Sequence, residues 1–240
     1  MKLTVLGCNG PFPEAGEACS GYLLQSGWHS LLLDCGSGVL SKLARHLPFA
    51  ALDGLVLTHL HADHMADVLV LRYALEFARN GGERTQPLPV WRPSEPTQWA
   101  ALLEGTPVFE IHEPISGTLG PWRLSFLPVR HPVPAYAVRA EADGRALVYT
   151  GDTNVCPGLG DFAKGADVLL ADAAFPRERW RAELPHMSAW HAGELAAQAR
   201  AGRLLLTHFA PGSDRALLQE QARESFASAA CAQPGLSVEI

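Results

Sequence analysis

The 240-residue chain has no run of lysines and arginines: its 19 basic residues are outnumbered by 25 acidic ones, and the net charge is −6 with histidine neutral. Proteins that live on long polyanions carry a strongly basic face, so no long nucleic acid is expected as a partner. The five cysteines (Cys8, Cys19, Cys35, Cys156 and Cys231) are odd in number and show no paired spacing. That excludes a disulfide framework and points to buried thiols in a reducing cytoplasm. No apolar run exceeds strand length before glycine, proline or charge breaks it, which excludes a membrane-spanning helix. Met1–Gly7 lacks the apolar core of a signal peptide and reads as a first strand. No linker, low-complexity stretch or 20–50-residue repeat divides the sequence. Residues 1–240 are therefore read as one domain, with 48% hydrophobic residues to fill its core.

What is present centres on Thr58-His59-Leu60-His61-Ala62-Asp63-His64. The apolar run Gly54–Leu57 before it suits a strand buried on both faces. After it, Val68, Leu71, Leu75 and Ala78 recur at helical spacing within Met65–Arg79. In an extended segment His59, His61 and Asp63 share one face, with His64 at the turn into the helix. Three imidazoles and a carboxylate in six positions are a nitrogen/oxygen donor set for zinc or a similar divalent metal. Packing does not explain such a cluster.

The rest alternates strands and turns, then strands and helices. Leu3–Leu6, Tyr22–Gln25 and Ser30–Asp34 read as a meander. Val39, Leu43 and Leu47 form the stripe of a helix, for which Ser37 or Asp34 would be a cap. Phe109–Ile111, Trp122–Val129, Tyr136–Ala140, Ala146–Thr150, Val168–Ala171, Leu204–Leu206 and Leu236–Ile240 read as strands, and Leu159–Lys164, Ala189–Ala201 and Arg215–Ala227 as helices. This order suits two packed sheets with helices outside. Three residues come directly after strands as the first strong ligand candidates: His131, Asp152 and His208. Strand ends are where binding residues of layered sheets collect. His29, His46 and His112 are read as structural, His191 as solvent-facing and Cys156 as a bystander. The loops Cys8–Gly21 and Gly81–Pro96 are expected to rim the groove.

The His-x-His-x-Asp-His stretch, His131, Gly151-Asp152-Thr153 and Thr207-His208 resemble the metallo-β-lactamase superfamily. Leu33-Asp34-Cys35-Gly36 and the His186–Phe209 segment resemble its ribonuclease Z-like branch. The resemblance implies an α+β fold, a four-layer αββα sandwich of two mixed sheets, and a binuclear site at the sheet edges. Carried over, His59, His61 and His131 would hold one metal, Asp63, His64 and His208 a second, and Asp152 would bridge them. Zinc is the expected ion, with manganese or iron as substitutes. His186 would assist the leaving group, oriented by Asp172, which stands where the branch usually has glutamate. Related enzymes are often dimeric, which suggests a homodimer by analogy alone.

Two adjacent dications bring the pKa of a shared water from ~15.7 to about 7; Asp63 can accept that water's proton, leaving a bridging hydroxide as the nucleophile. His186 would supply a proton to the leaving oxygen. The expected activity is phosphodiester hydrolysis. Only about twenty residues separate His131 from Asp152, where ribonuclease Z inserts its tRNA-gripping arm. The expected substrate is accordingly small: a cyclic nucleotide, a cyclic phosphate or a short oligonucleotide. A rival on the same scaffold is hydrolysis of a lactone, thioester or β-lactam. A rival of another class is a metal-bearing redox or binding protein, disfavoured because no carboxylate replaces His59 or His61.

Overall fold

The computed structural model describes all residues, 1–240. Strands β1 (Lys2–Gly7), β2 (Gly21–Ser26), β3 (His29–Leu33), β4 (Gly54–Val56), β5 (Leu88–Trp91) and β6 (Phe109–His112) lie side by side in a first sheet. Strands β7 (Gly117–Leu119), β8 (Trp122–Pro128), β9 (Tyr136–Ala142), β10 (Arg145–Tyr149), β11 (Val168–Asp172), β12 (Arg203–Thr207) and β13 (Ala229–Cys231) form a second. The chain then returns, and β14 (Ser237–Glu239) pairs with β1 to complete seven strands in each sheet.

Alternation along the strands builds the layers. Tyr22 and Leu24 of β2, with Leu31 and Leu33 of β3, face the second sheet and join its buried residues in one core. Leu23, Leu32 and Leu55 point the other way, into a separate core closed by helices α1 (Val39–Leu43) and α3 (Val68–Asn80), which flank the short α2 (Ala62–Met65). The small α4 (Thr97–Ala100) adds Ala100 to that core. Beyond the second sheet, α5 (Leu159–Phe162), α6 (Ala189–Ala199) and α7 (Arg215–Arg223) cover its outer face. Each fully buried leucine contributes about 1.5–3 kcal/mol, so the period-two pattern fixes register strongly. The αββα order is the one expected from the sequence.

Differences are local. The expected Met65–Arg79 helix is broken at Ala66–Asp67, where the Asp67 N–H donates to the Cys35 carbonyl and its carboxylate accepts from the Leu40 N–H. Those bonds tie the start of α3 to the loop after β3 and to α1. The first helix stops at Leu43, and Leu47 packs on the outer core from beyond it. Strands β7 and β13, three residues each, were not expected. No helix is long and apolar enough to cross a membrane, and all five cysteines are free thiols.

In the first sheet β3 to β6 are parallel, and in the second β10 to β13 are parallel. β8 runs with β10 because both are antiparallel to β9. The carboxyl ends of β4, β8, β10, β11 and β12 therefore open on one groove between the sheets. Ligands collect at that end of such strands.

Candidate metal centre

Seven side chains expected to act as ligands converge on that groove. The His59 Nε2 lies 3.0 Å from His61 Nδ1, and His131 Nε2 lies 3.1 Å from the same atom. Three nitrogens around a tetrahedral zinc at about 2.0–2.1 Å stand about 3.3 Å apart, so this cluster already has the spacing of a shared cation. A second cluster joins Asp63, His64, Asp152 and His208, whose donor atoms all lie within 4.8 Å of one another. Asp152 Oδ2 sits 3.2 Å from His64 Nε2 and 3.7 Å from His59 Nε2, so one carboxylate faces both clusters.

The electrostatics prepare most of the donors; His64 is the exception, since burial disfavours its charge but Asp152 and Asp34 hold it well above its usual range. Burial pushes His131 down to about 4 and His208 to about 3, and holds His59 well below its usual range. These rings are thus neutral, the form in which imidazole binds metal. Burial opposes ionisation of Asp152, yet the imidazoles around it, His208, His64 and His59, hold the carboxyl well below the usual carboxylate range, and of the three it is His64 that keeps its charge. Three buried atoms, His64 Nε2, Asp152 Oδ1 and His208 Nδ1, make no well-aligned hydrogen bond, although His208 Nδ1 stands 3.1 Å from Asp152 Oδ1 and His64 Nε2 3.2 Å from Asp152 Oδ2. Buried polar atoms are ordinarily paired, and lone pairs aimed together from facing elements are what a divalent cation would satisfy. The residues present fit the metal.

Position is enforced by backbone. His208 adopts φ 62, in the left-handed region, which non-glycine residues occupy at a cost of about 1–3 kcal/mol and keep chiefly at functional sites. Gly10 lies flat against its ring, and a Cβ there would collide with the imidazole. The expectation that Cys8–Gly21 rims the groove thus holds at Gly10. For Gly81–Pro96 no such contact is seen, and residues 81–87 lead into the amino end of β5, away from the groove.

Asp63 differs from the sequence reading. The chain is extended only to His61, and α2 begins at Ala62. Asp63 therefore turns off the face of His59 and His61 and joins His64 and His208. His186 stands above the second cluster, its ring stacked on His208 at 4.7 Å between centroids, with Nδ1 3.9 Å from Asp152. Its Nδ1 is 2.7 Å from the fully buried Asp172 Oδ2, so the shorter aspartate reaches. Burial disfavours the charged imidazole, but the Asp172 carboxylate overrides it and raises His186 to about 9. His191 is not solvent-facing: it is half-buried against Trp180, 4.1 Å between ring centroids, with Nδ1 2.8 Å from the Ser188 hydroxyl.

Residues 29–209 match the sequence profile of the β-lactamase superfamily domain. The chain belongs to the metallo-β-lactamase superfamily. It is 40% identical over 213 residues to the probable metallo-hydrolase YhfI of Bacillus subtilis, covering 87% of this chain and 86% of that one. The YhfI crystal structure superposes with a TM-score of 0.95 at 35% identity, covering 99% and 98% of the two chains. Ribonuclease Z of Mycobacterium marinum is 31% identical over 248 residues, 88% of this chain and 87% of its own. The short form of human tRNase Z shares the fold at a TM-score of 0.80 and 20% identity, over 100% and 99% of the chains. Within the metallo-β-lactamase superfamily the chain falls in the ribonuclease Z-like branch, and it is a metallo-hydrolase by family.

Sequence reasoning missed the supports of this metallo-β-lactamase site. Asp34, read as a helix cap, is fully buried at φ 56 and accepts from the Thr58 N–H at 2.8 Å and the Tyr149 hydroxyl at 2.8 Å. Its Oδ2 lies 2.7 Å from His64 Nδ1, which turns His64 Nε2 toward Asp152. The Thr58 hydroxyl donates to the same carboxylate and lies 3.1 Å from His59 Nδ1. Asn154 is also buried: its Nδ2 donates to the Leu184 carbonyl at 2.6 Å and its Oδ1 accepts from Trp180 Nε1 at 3.1 Å, fixing the loop that carries His186. Outer partners of metal-binding histidines are each worth about 10–100-fold in metal affinity. Asp34→Asn should therefore weaken zinc binding by about that factor, read by competition with a chromophoric chelator. Unchanged affinity would reduce Asp34 to a packing role.

Proposed function

We propose that this metallo-hydrolase is a phosphodiesterase acting on a small phosphodiester: a cyclic nucleotide, a cyclic phosphate or a short oligonucleotide. His59, His61 and His131 would hold one divalent ion and Asp63, His64 and His208 a second, with Asp152 between them. Zinc suits this donor set, and manganese or iron suits it nearly as well. When bound, two such ions make water a nucleophile near neutral pH and offset charge on the phosphoryl oxygens. Asp63 takes up the proton of the attacking water. His186, kept protonated by Asp172, donates to the departing oxygen.

The observation that carries the reading is the His186–Asp172 pair, 2.7 Å long and stacked over His208. An alkoxide leaving from phosphorus needs a proton, whereas a thiolate leaving from a thioester does not. The short connection supports a small substrate. Between His131 and Asp152 lie only β9 and β10, joined through Asp143 and Gly144, with no inserted arm. The test is turnover of bis(p-nitrophenyl) phosphate by the zinc- or manganese-loaded protein beside a thioester and a lactone. Phosphodiester turnover well above both is expected. The reverse order would assign the chain to the carbonyl-cleaving reading.

A further inference from the structure

β11 and β12 leave the second sheet side by side, with Asp172 in register with Thr207. The segments beyond their carboxyl ends diverge over α7 and enclose a cavity of about 300 Å³, lined among others by Phe175, Pro176, Arg179, Pro211, Asp214 and Leu217. That volume is at the lower end for small-molecule sites, about 300–1,000 Å³. Phe175 joins the cavity to the catalytic edge. Its ring stands 6.0 Å from that of His186 at an interplanar angle of 62°.

The lining is specific in chemistry. Two of the three arginines on this turn are engaged: Arg177 pairs with Glu224 and lies 5.1 Å over Trp190, and Arg181 donates to the carbonyls of Glu178 and Trp180. The Arg179 guanidinium makes neither a hydrogen bond nor an ion pair with the chain. Asp214 spends Oδ1 on the Leu217 N–H at 3.1 Å, capping α7. An aromatic wall, an unengaged planar cation, a carboxylate edge and apolar prolines and leucine suit a nucleoside. Bases stack on aromatic faces whatever their identity, and a guanidinium stacks or donates as the base presents itself.

We infer that this cavity receives the nucleoside of the leaving alcohol, an assignment that rests on the phosphodiesterase reading. In a nucleoside 3′,5′-cyclic phosphate, a water oxygen bonds to phosphorus as the P–O3′ bond breaks. O3′ keeps the electron pair and takes the proton of His186, giving the 5′-monophosphate. The ribose bridges the departing O3′ and the retained O5′; its C3′ side sits with the oxygen that His186 protonates, and the base is carried toward Phe175. Where the leaving group is p-nitrophenolate and the nucleoside sits on the retained oxygen alone, nothing ties the nucleoside to the leaving side and it points elsewhere.

The experiment uses the metal-loaded protein and three esters: adenosine 3′,5′-cyclic phosphate, thymidine 5′-(p-nitrophenyl) phosphate and bis(p-nitrophenyl) phosphate. Leu217→Trp fills the cavity mouth and Arg179→Ala removes its cation; both positions are exposed. In each variant kcat/KM for the cyclic nucleotide, divided by that for bis(p-nitrophenyl) phosphate, should fall about tenfold, the size of losing one base contact, chiefly through KM. The same ratio for the thymidine ester should change little. Binding of adenosine, followed by calorimetry, should weaken in parallel. Turnover of bis(p-nitrophenyl) phosphate with the cyclic-nucleotide ratio unchanged in both variants would overturn the cavity assignment alone. No phosphodiester turnover by the unsubstituted protein would overturn the underlying reading and this assignment with it.

Discussion

Replacing His186 by alanine is expected to lower kcat on a phosphodiester with an alkoxide leaving group by about 10²–10⁴-fold, the usual contribution of a positioned general acid. The loss should depend on what departs. A p-nitrophenolate leaves readily without a proton, so H186A should lose far less on bis(p-nitrophenyl) phosphate than on a cyclic or alkyl phosphodiester. Metal content should be retained, because the two candidate donor sets are complete without His186, which also comes within reach of His131 and Asp152 but is held by Asp172. Asp172→Asn should act in the same direction more weakly. The Asp172 carboxylate raises His186 to about 9 against the effect of burial, so the acid form persists through neutral pH and is lost as pH rises. Without the carboxylate's charge, the alkaline limb of the rate profile should move to lower pH. Equal losses on both leaving groups, with an unmoved limb, would make His186 a structural residue. Nearly intact turnover in H186A is the outcome that the thioester reading requires.

The sequence made the centre of this site legible because its spacing is local. His59, His61 and His64 lie within one strand-to-helix junction, and packing alone seldom gathers donors so densely. His131, Asp152 and His208 were legible for a different reason: each comes after an apolar strand, and parallel strands deliver the residues beyond their carboxyl ends to one edge. Asp63 shows the limit of periodicity. Its place depends on whether the helix starts at Ala62 or Met65, a boundary that spacing alone does not settle. Asp34 was opaque because its partners Thr58, His64 and Tyr149 are 24, 30 and 115 residues away. A carboxylate after a strand looks the same whether it caps a helix or holds a histidine. β7 and β13 failed on composition. Gly117-Thr118-Leu119 and Ala229-Ala230-Cys231 are too short and too small to carry a strand pattern, and only pairing with β8 and β12 makes them strands.

Asp152→Ala should cost the metal-loaded fold far more stability than the empty one. Without metal, burial opposes the charge of Asp152, yet the imidazoles around it hold its carboxyl well below the usual carboxylate range. That charge therefore contributes stability at neutral pH, lost only as pH falls through the lowered value. The metal-free variant should accordingly melt somewhat lower than the metal-free parent. Metal widens the gap. At free zinc of about 100 times Kd the parent gains about 2.7 kcal/mol. For a chain of this size that raises Tm by about 5–11 °C. Asp152 faces both clusters, at 3.2 Å from His64 and 3.7 Å from His59, so its loss should cost at least the ~100-fold in affinity that an outer partner can cost. Most of the shift should vanish at the same zinc concentration, and turnover with it. Melting curves of both proteins, after exhaustive chelation and after zinc is restored, read the two gaps directly. If the variant keeps the full metal-induced shift, Asp152 does not bridge the clusters, and a paired-ion centre cannot stand on the remaining side chains.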